Sequence, residues 1–529
     1  MKRTLSVFAL CLGAAAAPLA AQTGAAIGFQ FVIESGDSVY AALAGGETNV
    51  KLTAFDQAFT NPGLGAFTVR VYFDPARVTY VTGSAASACP DSATFPLNPP
   101  AVGTNFVEFS AGGCAPSGSF GSDVVTFRLR LDPGATSGAV LYADPISLIQ
   151  SDGTPRPNDG EAALVEICVG TTVWGDIDAD AIVGSRDALI ALAGAVGLPT
   201  GGFTLTRGDV DSDGRVTSRD ALFMLSRAVD LPTLGSRTGQ AIADHCAPQT
   251  ALPDSLFYQA EGGSRAAAGV SGLTIRARGD TAFVITGDST ANFFNGTKWR
   301  PRVSPADGSV LVACLYNTSS PQICRRDGTG TLTLLTGAAP FNVHESPDWS
   351  PAGDSIIYVR DGQIFIMDAA GGGQTPIPGA PSFVNSVAWQ PVAGSHMFAY
   401  TRQGCNGEVH TFNRDTGADA LVAFGECSAA KGQPDLVDWN PAGDSLAFDM
   451  FLNNSKAVIV APAIASAPLT KLVSNEVTGT NEAFWRTDGV VFQLGGVLYG
   501  QIYFRRNDGT VDRLTRVAQD LHFPATAKR

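Results

Sequence analysis

The chain carries an aspartate-spaced segment twice, and this duplication constrains its fold more than any other feature. GDIDADAIVGSRDALIALAGAVGLP (175–199) returns as GDVDSDGRVTSRDALFMLSRAVDLP (208–232), offset by 33 residues without a gap, with 15 identities in 25 positions. Each copy opens with acids on alternate residues and continues with apolar residues at helical spacing. Carboxylates crowded into so short a loop repel one another until something neutralises them.

The spacing is that of a hard cation's oxygen ligands. A calcium loop of the EF-hand kind takes ligands at loop positions 1, 3, 5, 7, 9 and 12, the seventh through a backbone carbonyl. In the second copy these are Asp209, Asp211, Asp213, the carbonyl of Arg215, Thr217 and Asp220. In the first they are Asp176, Asp178, Asp180, the carbonyl of Ile182, Gly184 and Asp187. The sixth position makes a sharp turn that glycine takes without steric cost. Gly214 supplies it in the second copy, whereas the first has Ala181 there and no side-chain oxygen at Gly184. Two calcium sites are expected, the second the stronger. Behind each loop a helix is expected, with stripes Leu189, Leu192, Val196 and Leu222, Leu225, Val229 burying each other.

Loop and helix twice, with Asp in the twelfth place and no helix before the loop, resembles a type I dockerin over Gly175 to Pro232. The resemblance implies a β-sandwich partner of the cohesin type, on another protein or another copy of this chain. It implies contact residues at loop positions 10 and 11, here Ser185, Arg186, Ser218 and Arg219. Their identity in both copies implies two-fold-related binding. The alternative is a calcium-stapled spacer with no partner.

The flanking chain reads as β structure. Of 529 residues, 45% are hydrophobic and 16% charged, with 59 glycines and 31 prolines to make turns. The net charge is −14 and no basic stripe appears, which argues against nucleic acid as a partner. Lys2 and Arg3 precede an apolar run, Leu5 to Leu19, and small residues at Ala20–Ala21; residues 1–21 read as a secretory signal. No later run is long and apolar enough to span a bilayer, so an exported protein is expected: secreted, periplasmic or surface-bound. Apart from Cys11 there are eight cysteines, an even number suited to an oxidising compartment. Spacing leaves their connectivity open; nearest neighbours would pair as Cys89–Cys114, Cys168–Cys246, Cys314–Cys324 and Cys405–Cys427.

Residues 27–169 show period-two alternation, as in Phe67, Val69, Val71, Phe73 against Thr68, Arg70, Tyr72, and in Val125, Phe127, Leu129, Leu131. Further strands are expected at Gly28–Ser35, Asn49–Phe55, Asn105–Ala111 and Ala139–Ile149. Seven or more short strands without helices predict a β-sandwich. GGETNVKLTAF, AFTVRVYFDPARVTYV and VVTFRLRLDPGATSG together resemble a cohesin. Other sandwiches, which bind carbohydrate or space domains, remain alternatives. The dockerin-like unit is bounded at 170–246 and a linker at 247–254 follows.

From 255 to 529 a second repeat runs. RPRVSPADGSVLVA (300–313), SPDWSPAGDSIIYV (346–359), NSVAWQPVAGSHMFAY (385–400), LVDWNPAGDSLAFDM (436–450) and NEAFWRTDGVVFQ (481–493) share a strand, a Pro/Gly/Asp turn and a second apolar strand. GLTIRARGDTAFVI (272–285) is a degenerate sixth. With Ile275, Val303, Trp349, Trp389, Trp439 and Trp485 as equivalents, the intervals are 28, 46, 40, 50 and 46, the period of propeller blades. The unit resembles the TolB-like, WD40-related repeat; six blades are expected, with closure through Leu256–Gln259. The overall expectation is a multidomain, mainly β chain: cohesin-like β-sandwich, small α calcium-binding dockerin, six-bladed β-propeller.

Catalysis leaves few traces. Gly443-Asp444-Ser445-Leu446 begins like an esterase motif, but Gly353-Asp354-Ser355-Ile356 is the same turn in another blade. No G-x-S-x-G is present, and the five histidines are scattered and expected at the surface. Propellers of this kind also cap serine peptidases; with the blades expected to fill 255–529, no hydrolase domain is expected. Non-catalytic docking near polysaccharide is the first expectation. A carbohydrate-active hydrolase, with two carboxylates across a cleft, or a glycan- or peptide-binding propeller, is the alternative.

Overall fold

Alternation over 64–72 and 122–131 buries one side of each strand, and two sheets close over the sides thus made apolar. The computed structural model describes residues 27–525 except 33–38, 57–63, 89–96, 113–121, 151–152, 154–162, 181, 202, 204, 234–235, 243–256, 262–272, 278–281, 286–300, 315–319, 328–330, 338–341, 403–406, 425–435, 453–454, 476–479, 495–500 and 515–519. The expected signal at 1–21, the linker at 247–254 and Ala181 lie outside the described residues.

Eleven strands come first: β1 Ile27–Phe31, β2 Tyr40–Leu43, β3 Glu47–Asp56, β4 Leu64–Tyr72, β5 Val78–Tyr80, β6 Ala86–Ser87, β7 Ala101–Val102, β8 Phe106–Gly112, β9 Ser122–Leu131, β10 Ala139–Gln150 and β11 Ala163–Gly170. One sheet runs β1-β3-β9-β5 with β6 added on β9; the other runs β2-β11-β10-β4-β8-β7. Between them lie Val50, Leu52, Val69, Val71, Phe109, Phe127, Leu129 and Leu141, all but unexposed. At about 25 cal/mol per Å2 this burial is the main stabilising force of the sandwich. Cys168 on β11 and Cys324 in the propeller each belong to a disulfide.

Beyond 255 the described strands form six four-stranded sheets, as the blade count predicted. Five are meanders. The sixth joins Phe257–Glu261, Leu273–Ala277 and Ala282–Ile285 to the last strand, Asp520–Ala525, which pairs antiparallel with Phe257–Glu261. Asp520–Ala525 packs against Thr480–Arg486 as the inner strand of its blade. Ile275 is therefore not the counterpart of the blade tryptophans: it lies two strands further out. The sequence offset misplaced it because closure lends this blade an inner strand from the far end of the repeat.

The tryptophans serve the blades. Trp349 and Trp389 are 5% exposed and Trp439 is fully buried. Trp439 Nε1 donates to the Ala388 carbonyl of the preceding blade (3.0 Å), and Trp349 Nε1 to that of Arg302 (3.2 Å). Asp348 accepts from the Trp389 N–H (2.7 Å) and Asp438 from the Trp485 N–H (2.9 Å), so neighbouring blades are stitched at the inner strand. The Gly-Asp-Ser turns are structural. Gly353 and Gly443 hold φ of 72° and 73°, a region glycine enters freely. Asp354 accepts from Ser350 Oγ and Asp444 from Asn440 Nδ2.

Two histidines depart from expectation. His344 is 2% and His410 8% exposed rather than at the surface. Burial in the blade pushes the His344 imidazole below its usual pKa. His410 stacks on Tyr400 and lies between Asp419 (3.1 Å) and Glu408 (3.2 Å).

The sandwich also packs onto the propeller. Tyr72, Val140 and Tyr142, on the outer side of the six-stranded sheet, are buried with Val458, Leu472, Val490 and Phe492 of the last two blades. Tyr142 donates to the Leu472 carbonyl. Arg513 meets Glu166 at 2.6 Å and Arg505 meets Asp144 at 3.4 Å, while the Arg505 guanidinium lies over the Tyr142 ring. At Gly509, φ 92°, an added Cβ would come within 2.4 Å of the Tyr72 ring. Burial between the two modules raises the Asp144 carboxyl to about 6, despite Arg505.

Candidate metal centre

The duplicated segment folds as two loops, each running into an eleven-residue helix: α1 Ser185–Ala195 and α2 Ser218–Ala228. Repeated sequence gives repeated bonding. Asp180 N–H donates to Asp176 (3.1 Å) and Asp178 (3.3 Å); Asp213 N–H donates to Asp209 (3.1 Å) and Asp211 (3.3 Å). Ile182 N–H donates to Asp180 and Arg215 N–H to Asp213, both at 2.9 Å. Ala179 and Ser212 share a left-handed φ of 62° and 63°. Such backbone strain persists only where the surroundings over-determine it.

Each twelfth-place aspartate is the third residue of its helix and is buried. Asp187 accepts from the N–H groups of Ile177 (2.7 Å), Asp178 and Gly184; Asp220 accepts from those of Val210 (2.8 Å), Asp211 and Thr217. A carboxylate there also suits the helix N-terminus. The copies differ at the cap. The Thr217 hydroxyl accepts from Arg219 N–H (3.2 Å) and donates to Asp220 (3.0 Å); Gly184 has no side chain to offer.

The first loop brings oxygens of Asp176, Asp178, Asp180 and Asp187 within 4.8 Å of one another, and the second those of Asp209, Asp211 and Asp213. The set is all carboxylate, without His or Cys, which is the donor chemistry of a hard divalent cation. Asp178 Oδ2 and Asp211 Oδ2 are buried without a hydrogen bond, each facing only a guanidinium: Arg186 at 3.0 Å and Arg219 at 3.2 Å. Residues and geometry therefore fit calcium. Carboxylate convergence is fuller in the first loop, while the hydroxyl donor belongs to the second. Two further arginines hold the loops from outside the repeat. Arg237 Nη2 donates to the Asp209 carbonyl (2.7 Å) and stacks 3.3 Å over the Trp174 ring; Arg207 reaches the Asp176 carbonyl (3.4 Å). Lying outside the ligand spacing, Arg237 gave no sequence signal.

The helix packing corrects one expectation. Ala188, Ala191, Ala221 and Met224 face inward, joined by Val183 and Val210. Leu189, Leu192 and Val196 are 66%, 42% and 64% exposed; Leu222, Leu225 and Val229 are 62%, 45% and 60% exposed. The expected stripes do not bury each other. Each starts one residue past an inward alanine, about 100° round the helix, and the alanines let the backbones approach. What results is a duplicated apolar face in solvent. Ser185, Arg186, Ser218 and Arg219 begin the two helices, with both arginine side chains about two-thirds exposed.

No family model matches the chain, and no curated protein sequence matches it. Solved structures do show likeness. TolB from Acinetobacter baumannii is 13% identical over 75% of this chain and 81% of that one, with a TM-score of 0.41. The putative TolB from Agrobacterium tumefaciens is 16% identical, over 51% and 91%, at 0.36. The sixth cohesin from Acetivibrio cellulolyticus scaffoldin B, in complex with a Cel5 dockerin variant, is 14% identical, over 27% and 98%, at 0.21. Among the described residues, no helix is long and apolar enough to cross a membrane.

Proposed function

We propose that this chain is an exported, non-catalytic docking protein whose duplicated loop–helix unit is a dockerin-type module folded by two calcium ions. The observation that carries this reading is the exposed, duplicated apolar face set on two carboxylate loops. Six large aliphatic side chains in solvent are costly to leave uncovered, and a contiguous apolar surface on a soluble module marks a docking site. Each ion would be held by the carboxylates of one loop, with the carbonyls of Ile182 and Arg215 and the Thr217 hydroxyl completing the sets. By neutralising the aspartates it would stiffen the loops that set the helices' angle, so folding of the face is coupled to the metal. Ser185, Arg186, Ser218 and Arg219 would meet the partner at the rim, in two equivalent orientations. The partner is a cohesin-type β-sandwich. The leader-like segment and the even cysteine count support export.

The test is binding of the full chain to immobilised cohesin-type sandwiches, in calcium and in chelator, beside a calorimetric calcium titration. Two calcium sites and calcium-dependent capture are expected. A chain that binds no calcium, or captures equally well in chelator, would sink the reading.

A further inference from the structure

The sandwich of this chain is itself a candidate partner for the helix face, and its two outer surfaces can be compared. The four-stranded path β1-β3-β9-β5 turns Glu47, Lys51, Thr53, Arg128 and Arg130 outward. They are paired within the sheet: Lys51 and Thr53 with Asp123, at 2.7 Å and 3.0 Å, and both arginines with Glu47. Covering them with leucines would strip paired charges of water for no new bond. Arg128 and Arg130 also carry the same sign as Arg186 and Arg219 on the helix unit, so this surface repels that rim.

The outer surface of the six-stranded sheet is the opposite. It has an apolar centre of Tyr72, Val140 and Tyr142, with Asp144 and Glu166 beside it; a third acid, Glu108, is paired with Arg70 of the same sheet at 2.6 Å. Apolar centre with acidic rim is the complement of apolar helices with an arginine rim. In this chain the surface is taken: the propeller covers the tyrosines, and its Arg505 and Arg513 pair with Asp144 and Glu166. Nor does the helix face suit a second copy of itself. A two-fold contact gathers the Arg186 and Arg219 of both copies, four charges of one sign, round a single interface.

We infer that the propeller occupies in cis the one sandwich surface that fits the helix face, so the chain stays monomeric in calcium and its helix face docks a sandwich of another protein with an uncovered apolar centre and acidic rim. This rests on the docking reading above. The propeller thus decides partner choice by withholding the self-partner; specificity by blocking a competitor is a general device.

The test is light scattering of the full chain over a wide concentration range, in calcium and in chelator. The wild type is expected at the mass of one chain in both. A Gly509→Trp variant, which wedges the Tyr72 contact open, is expected to self-associate in calcium and return to one chain in chelator. Arg505→Glu, which sets a carboxylate against Asp144, serves where the first does not fold. Calcium-dependent oligomers of the wild type would overturn the inference. So would an undocked variant, with domain separation shown by small-angle scattering, that binds calcium yet stays monomeric. Calcium titration of the same samples separates the two readings: loss of calcium binding in the wild type is a failure of the docking reading, not of this one.

Discussion

Thr217 and Gly184 hold equivalent places, and the hydroxyl is the chief chemical difference between the two described loops. Thr217→Ala removes the hydroxyl proposed to ligate the second ion and a helix cap, whose loss costs about 1 kcal/mol. Calorimetric titration should show the second calcium site weakened and the first unchanged, with the wild-type second site the tighter of the two. Asp144 gives a pH signature of another kind. Its carboxyl, held at about 6 by burial, ordinarily titrates near 3.8. Between those values the folded chain holds a proton that the unfolded chain has lost, so this residue's contribution to stability falls as pH rises from about 4 to 6 and is level above. A shift of this size corresponds to about 3 kcal/mol. Asp144→Asn should flatten that part of the curve of melting temperature against pH; an unchanged slope would show the carboxyl titrating normally. The difference between Thr217 and Gly184 was legible in the sequence; the behaviour of Asp144 was not. The carboxylates' spacing gave the loops, but Asp144 looked like one acid among 49, since nothing local marks a side chain buried by a distant module.

At the scale of the element, α1 and α2 show how a repeat can be read correctly and oriented wrongly. Leucines at three- and four-residue spacing predict a helix with an apolar stripe, and the helices are there. Alanine and methionine beside them made an equally regular stripe, and the tighter approach they allow won the interior. The two stripes should respond differently. Leu189→Glu with Leu222→Glu should abolish partner capture while changing thermal stability by less than about 0.5 kcal/mol per site, as surface changes do. Met224→Ala, in the buried seam, should cost about 2–5 kcal/mol and weaken calcium binding and capture together. A melting curve insensitive to Met224→Ala would contradict the packing. The blade repeats were more legible, because five carry their own turn punctuation and four of those a tryptophan. The closing blade was not: its inner strand, Asp520–Ala525, is paired with a strand more than two hundred residues earlier.

The sandwich and propeller behave at the largest scale as one body, through an interface that combines apolar burial with buried ion pairs. Removing one partner of such a pair costs about 3–5 kcal/mol, because the other charge stays buried and uncompensated. Arg505→Ala should therefore split one joint calorimetric transition into two, the sandwich and the propeller melting apart; a single transition at the wild-type temperature would deny the coupling. The sequence held a trace of this contact. Val140-Leu141-Tyr142-Ala143 is apolar on consecutive residues, the mark of a strand buried on both faces. Alternation on β4 masked it, since Tyr72 falls in register with Thr68 and Arg70 and reads as exposed. A different consequence follows from how the helix unit is rooted. Val173 bridges Ala241, Ile242 N–H donates to the Thr172 carbonyl, and Gly239 N–H to that of Trp174. Both ends of the unit thus meet side by side. A partner tugging on the helices loads this root directly, since among the described residues it is where the two ends of the unit come together.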